Sequence, residues 1–280
     1  MLWHDICGLQ RQFLELQEMI SVIRSGLNAS LKHIGVVSNN IANARTTGFK
    51  KSLATFQDIY AQKTTLLNPG KIGQGSRVEN VRPSQTQGPL MQTGQTLDIA
   101  IEGQGMFVVR APDNAAEDAQ SFTRDGSFSL DKDGFIVTTD GQRVLSDRGQ
   151  FMQVPFTRNA GGRELRLEDV TIDEFGNIRA QMGRTEIVEV GRIGLALFPD
   201  VNELTPFGGN FFKANQASGP AKIEGAFQGV YGKIMSGTLE MSNLNMTKEL
   251  SVLIQAQQAF SGSSRLLQAE TDMTKRFTNR

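Results

Sequence analysis

A single cysteine, Cys7, stands in a chain of 280 residues, which excludes an internal disulfide and any zinc site built from cysteines. Only two histidines occur, His4 and His33, and neither lies at metal-ligand spacing from the other or from Cys7. His33, beside Lys32 in a helical stretch, reads as a solvated histidine. Net charge is missing as well: 29 basic and 29 acidic residues cancel, leaving no electrostatic reason to expect nucleic acid or an anionic membrane as the main partner. Lys50-Lys51 is too short to count as a basic patch. No continuous apolar stretch approaches the roughly 20 residues that span a bilayer. The opening Met-Leu-Trp-His-Asp lacks the positive region and apolar core of a cleaved secretory signal, so an exported chain would use another route.

The common catalytic signatures are lacking too. Gly103-Gln104-Gly105 has neither the third glycine nor the following helix of a dinucleotide fingerprint, and no phosphate-binding lysine loop occurs. Asp98, Asp125, Asp131, Asp133 and Asp173 lie beside glycines or at strand alternations, where turn and surface roles explain them better than a hydrolytic carboxylate pair. Ser261-Gly262-Ser263-Ser264 sits in an amphipathic helix with no candidate base nearby, and small residues there let helices approach closely. The expectation is a chain that is not an enzyme and holds no cofactor or metal.

What is present is periodicity. Ile20, Ile23, Leu27, Leu31, Ile34, Val37 and Ile41 recur at spacings of three and four, which predicts an amphipathic helix. Near the other end Leu250, Leu253, Phe260 and Leu267 form one stripe, and Val252, Ala256, Ala259, Leu266, Met273 and Phe277 form a second beside it. Such helices can pair with each other, and the second stripe is left over for other subunits. Between them run short alternating stretches and glycine turns, with 39% hydrophobic content, enough for a core. Leu97, Ile99 and Ile101 alternate with Asp98, Ala100 and Glu102, predicting a strand with one buried face, followed by an apolar strand from Met106 to Val109. Asp125-Gly126 and Asp133-Gly134 read as hairpin turns. Pro69-Gly70, Gly73-x-Gly75, Gly208-Gly209-Asn210 and Ser218-Gly219-Pro220 are further turn or loop signals.

The first helix closes on Ser38-Asn39-Asn40-Ile41-Ala42-Asn43 and leads into Thr46-Thr47-Gly48-Phe49-Lys50. Asparagines suit C-caps and left-handed turns, and Gly48 supplies a permissive position, so Asn39, Asn40, Asn43, Gly48 and Phe49 mark a sharp turn. This segment resembles the N-terminal signature of the bacterial flagellar rod and hook proteins, and the likeness extends through Phe56-Gln57-Asp58. Three later blocks resemble the same family in the expected order. They are Gln87-Gly88-Pro89-Leu90 through Val109, Phe122 to Phe128 with Asp133 to Val137, and Gly237 to Asn243 with the closing helix.

The resemblance implies an α+β fold: N- and C-terminal helices forming a coiled-coil-like layer, with a central, mainly antiparallel β domain. The expected divisions are an uncertain N-terminal extension at 1–18, paired terminal helices at 19–44 and 240–280, an extended connector at 45–95 and a β-rich outer domain at 96–239. Family members usually begin near the position of Met19, so either Met1 or Met19 is the start; Phe13, Leu14 and Leu16 would extend the helix backwards. Gln257-Gln258-Ala259-Phe260 also departs from the arginine and tyrosine that many relatives carry. The implied function is a structural subunit of the flagellar basal-body rod, self-assembling into a helical tube that transmits torque from motor to hook. Its implied partners are neighbouring rod and hook proteins and the flagellar type III export apparatus, without membrane insertion or nucleic acid. It would lie in the periplasm-spanning rod, exported without a cleaved signal peptide. The expected helix interface is Leu27, Leu31, Ile34, Leu250, Leu253, Phe260 and Leu267. The length favours rod over hook and is common to distal and proximal rod proteins. A hook subunit, or a β-rich secreted adhesin with helical oligomerisation ends, is the alternative.

Overall fold

The computed structural model describes residues 2–62, 71–112, 120–160, 163–183 and 186–278; side chains at 2–18, 60–62, 71–72, 160, 163–164 and 277–278 are outside the description. The chain divides into two compact units, one of Met1–Ala42, Ser52–Arg82 and Asn245–Arg280, the other of Asn43–Lys51 and Pro83–Leu244. The architecture is α+β, with helices at the two ends and a mainly antiparallel β unit.

The first unit holds helices α1 (Leu2–Ala42) and α2 (Met246–Thr278), which pack against each other. The pair is antiparallel. Asn40 Nδ2 lies 3.5 Å from Glu249 Oε2, and Gly26 faces Ser263 the same number of residues further along each helix in opposite directions. Asn245 caps α2, its Oδ1 accepting from Lys248 N at 3.1 Å, while Glu249 in the first turn and Lys275 and Arg276 in the last suit the helix dipole. α1 reaches back to Leu2, so residues 2–18 continue the helix.

The stretch expected as a connector carries two long strands, Ser52–Gln62 and Lys71–Pro83, paired as a two-stranded sheet beside α1. Gly75 lies so close to Ser25 that a Cβ would collide with its hydroxyl, which explains a glycine there at φ +95°. His33 is half-buried, its ring edge-on to Phe56 at 5.1 Å, rather than solvated. The Pro69-Gly70 signal lies outside the described residues.

The second unit is built on Met106–Arg110, which pairs with Gln120–Thr123, Arg143–Val144 and Gly194–Leu197. Its period-two pattern serves two cores. Phe107 and Val109 enter a cluster with Ile99, Ile101, Ile178, Met182 and Ile234; Met106 and Val108 enter another with Phe122, Leu145 and Phe198. A four-stranded antiparallel sheet, Thr157–Ala160, Arg163–Ile172, Asn177–Met182 and Glu186–Arg192, adds to the first cluster.

Two local readings change. Ile99–Glu102 does not have one buried and one solvated face, because Asp98 and Ala100 are buried too; the strand pairs with Lys233–Ser236, and Asp98 O accepts from Thr238 N. Asp133-Gly134 is the expected hairpin turn, joining Ser129–Leu130 to Ile136–Val137 with Gly134 at φ +82°. Asp125-Gly126 is not. The strands flanking it pair elsewhere, and Gly126 instead lets the Ile99 carbonyl pass where a Cβ would collide, while Asp125 Oδ1 folds back onto Ser127 N at 3.1 Å. Asp-Gly thus served a close backbone crossing. α2 begins at Met246 rather than near residue 240, since Thr238–Glu240 is a strand paired with Leu90–Gln92.

Candidate assembly surface and the motif junction

Along α2 the positions Glu249, Leu253, Ala256, Phe260, Ser263, Leu267, Glu270 and Thr274, at alternating spacings of four and three, are buried or half-buried, and Val252 and Ser264 are half-buried beside them. These positions form one seam along the helix. Of the residues expected at the helix interface, Leu27, Ile34, Leu253, Phe260 and Leu267 are half-buried, whereas Leu31 and Leu250 stay 47% and 45% exposed. Val37 and the small residues Ala29 and Ala256 are buried, with Gly26 facing Ser263; Ala256, expected on the second stripe left over for other subunits, is covered within the chain instead. The small residues let the helices approach closely.

Apolar side chains remain on both sides of the seam. Met246, Leu250 and Ile254 line one flank over the first turns of α2; Ala259, Leu266 and Met273, at seven-residue spacing, line the other and are exposed. Phe277 falls outside the described side chains. No helix among the described residues is long and apolar enough to cross a membrane.

The turn motif separates into two jobs. Asn40, still helical, acts like a strand partner for Ser52: its Oδ1 accepts from Ser52 N at 2.8 Å and its Nδ2 donates to Ser52 O at 2.9 Å. Asn39 is exposed. Asn43 holds the turn, its carbonyl accepting from Thr46 N at 3.2 Å and its Oδ1 from Thr46 Oγ1 at 3.2 Å. Phe49 is half-buried, and Gly48, at φ +65°, packs so tightly on the Arg124–Asp125 backbone that no side chain fits.

From Gly48 and Lys50 the second unit builds a buried ionic junction around Glu240, which is 1% exposed. Lys50 Nζ meets Glu240 Oε1 at 2.6 Å, Arg124 Nη1 meets Oε2 at 3.1 Å, and Gly88 N donates to Oε1 at 2.8 Å. The cations are themselves tied down: Lys50 Nζ donates to Thr86 O at 2.8 Å, and Arg124 Nη2 to Gly103 O at 2.8 Å. Glu240 O accepts from Gly48 N. Burial lowers the pKa of Lys50, opposed by the Glu240 carboxylate and reinforced by Arg124. Burial likewise lowers that of Arg124 against the pull of Glu240. Asn243 completes the knot, accepting from Lys51 N at 2.9 Å and donating to Ser84 O at 2.8 Å.

Lys50, Arg124 and Glu240 lie in three separate blocks of the sequence. Nothing in one sequence shows that they meet; the signal was four charged or glycine-bearing blocks without a catalytic use. Among the described residues no group of three or more His, Cys, Asp or Glu side chains is placed to hold a metal.

Comparison with known families gives these features a context. Residues 20–50 match the family described as Flagella basal body rod protein, residues 100–180 the Flagellar hook protein FlgE/F/G D1 domain, and residues 235–280 the Flagellar basal body rod FlgEFG protein C-terminal region. The junction takes one ion from each match: Lys50, Arg124 and Glu240. These matches place the chain in the class of flagellar rod and hook proteins. It is 30% identical over 267 residues to the flagellar basal-body rod protein FlgG of Agrobacterium fabrum, covering 91% of this chain and 95% of that one. It is 31% identical over 263 residues to FlgG of Borreliella burgdorferi (89% and 93%), and 30% identical over 250 residues to FlgF of Caulobacter vibrioides (87% and 89%). The chain belongs to the flagellar basal-body rod protein family.

Proposed function

We propose that this chain is a structural subunit of the bacterial flagellar basal-body rod. The observation that carries the reading is full-length similarity to rod proteins, joined to helical ends whose apolar surface exceeds what one partner helix covers. Helices of this kind gain most of their stability from packing, which suits folding of the terminal layer coupled to assembly. In this reading the flanks of α2, with Leu250 on one side and Leu266 on the other, dock on helices of neighbouring subunits, and the terminal helices form a coiled-coil-like layer. The β unit, locked by the Glu240 junction and its paired sheets, supplies stiffness for torque transmission. The chain acts by assembly with itself and with neighbouring rod and hook proteins, not by catalysis. It reaches its place through the flagellar export apparatus without a cleaved signal. Rod is favoured over hook because the aligned relatives are rod proteins of matching length. An epitope-tagged chain is expected to copurify with basal bodies and to be labelled along the rod by immunogold; label confined to the hook, or its absence from basal bodies, would contradict the assignment.

A further inference from the structure

α2 carries more apolar surface than α1 covers, and the surplus falls on two faces that differ in place and in shape. Projected at 3.6 residues per turn, they lie roughly 110° to either side of the seam against α1. The N-terminal face presents Met246, Leu250 and Ile254, large side chains that are 42%, 45% and 54% exposed. The C-terminal face presents Ala259, Gly262, Leu266, Ala269 and Met273, all exposed, with small residues on both sides of Leu266. Neither set contains a charged residue.

Gly262 makes room for nothing in its own chain. A glycine inside a helix is destabilising relative to alanine, and a Cβ at 262 would meet no atom within 4 Å. Gly75, by contrast, makes room for Ser25 of α1.

The shapes of the two faces select the partner. α1 offers no matching surface: its exposed large apolar side chains among the described residues are Met19 and Leu31, twelve positions apart. The faces of α2 match each other instead. Set sixteen residues out of step, about 24 Å of helix, Met246 stands opposite Gly262, Leu250 opposite Leu266, and Ile254 beside Ala269. Met246 and Ile254 then enter the spaces left by small residues, ridge into groove. Seven residues less puts Met246 against Gln255 and Leu266 against Gln257. Seven residues more carries the partners of Gly262 and Leu266 past the start of α2.

We propose that α2 of one copy packs in parallel on α2 of the next, the 246–254 face of one against the 262–273 face of the other, with a stagger of sixteen residues. The contact joins two different faces of one helix, so it continues from copy to copy instead of closing a dimer, and shifts each α2 about 24 Å along its own direction. It rests on the reading that copies of this chain assemble with one another, and fixes which helices meet and in what register.

The test uses the full chain in a Cys7→Ser background carrying Leu250→Cys and Leu266→Cys, with basal bodies purified and treated with a mild oxidant. A ladder of dimers and higher multimers is expected from the double variant, with each single variant staying monomeric. Leu250→Cys with Met273→Cys, seven residues out of register, is expected to give at least about tenfold less multimer, because a disulfide requires closely placed Cβ atoms. Dimers from either single variant, or a Leu250→Cys, Leu266→Cys chain that stays monomeric while present in basal bodies, would overturn the contact and leave the rod reading standing. Absence of the Cys7→Ser parent from basal bodies would overturn both. Gly262→Leu tests the register without a cross-link. It fills the space that Met246 takes and touches nothing in its own chain, so helicity by circular dichroism is expected to hold while incorporation into basal bodies falls roughly tenfold on immunoblots. Unchanged incorporation would overturn the pairing of Met246 with Gly262.

Discussion

Glu240 balances two buried cations and a backbone N–H at once, so its neutral replacement leaves Lys50 and Arg124 facing each other in a dry site. Breaking a buried ion pair from one side costs about 3–5 kcal/mol, and Glu240→Gln is expected to destabilise the chain by that order in urea denaturation. Lys50→Met keeps the Arg124 contact and should cost less. If both variants unfold like the parent chain, the junction does not hold the β unit together. Gly48→Ala combines a left-handed φ with a collision against the Asp125 backbone and should cost more than about 1 kcal/mol in the same assay. At this scale the sequence was partly legible: Gly48 and the Asn43 turn could be read from residue type, because φ preference and Asx hydrogen bonding are local properties. The ion triad could not, since its members are far apart in sequence and each alone looks like an ordinary surface charge.

Among the elements, the helices were the most readable, because an apolar stripe on a polar background survives any tertiary context. Their contact faces were less so. The periodicity selected Leu31 and Leu250, which remain exposed, omitted Ala29, which is buried, and assigned Ala256 to the stripe left over for other subunits, although it too is buried. The strand pair Ser52–Gln62 and Lys71–Pro83 was not legible because Pro69-Gly70 and Gly73-x-Gly75 read as loop signals, whereas Gly75 lies inside a strand and its missing side chain makes room for Ser25 of α1. Asp125-Gly126 misled for a related reason: a glycine needed for a backbone crossing has the same letters as one needed for a turn. Two substitutions separate folding from assembly. Leu266, 62% exposed, should tolerate Leu266→Asp within about 0.5 kcal/mol of the parent's stability, since exposed sites are usually that permissive. Its incorporation into basal bodies should nonetheless fall sharply on immunoblots. Leu253→Asp, in the half-buried seam, should abolish incorporation while the circular dichroism of the β unit persists. Normal incorporation of Leu266→Asp would show that this flank meets no neighbour.

For the whole molecule, composition excluded more than it identified: neutral charge, one cysteine and, among the described residues, no helix long and apolar enough to cross a membrane leave many classes open. Four ordered blocks narrowed them to one family, and the fold shows why the order matters, since Lys50, Gly88, Arg124 and Glu240 come from successive blocks and meet at one carboxylate. The central claim is that the chain builds the rod. Deleting its gene and imaging purified basal bodies by electron microscopy tests it most directly, with the full-length gene restored in a parallel strain. The account predicts basal bodies arrested before the rod is complete, with normal structures returning on complementation. Complete rods bearing hooks in the deletion strain would contradict it.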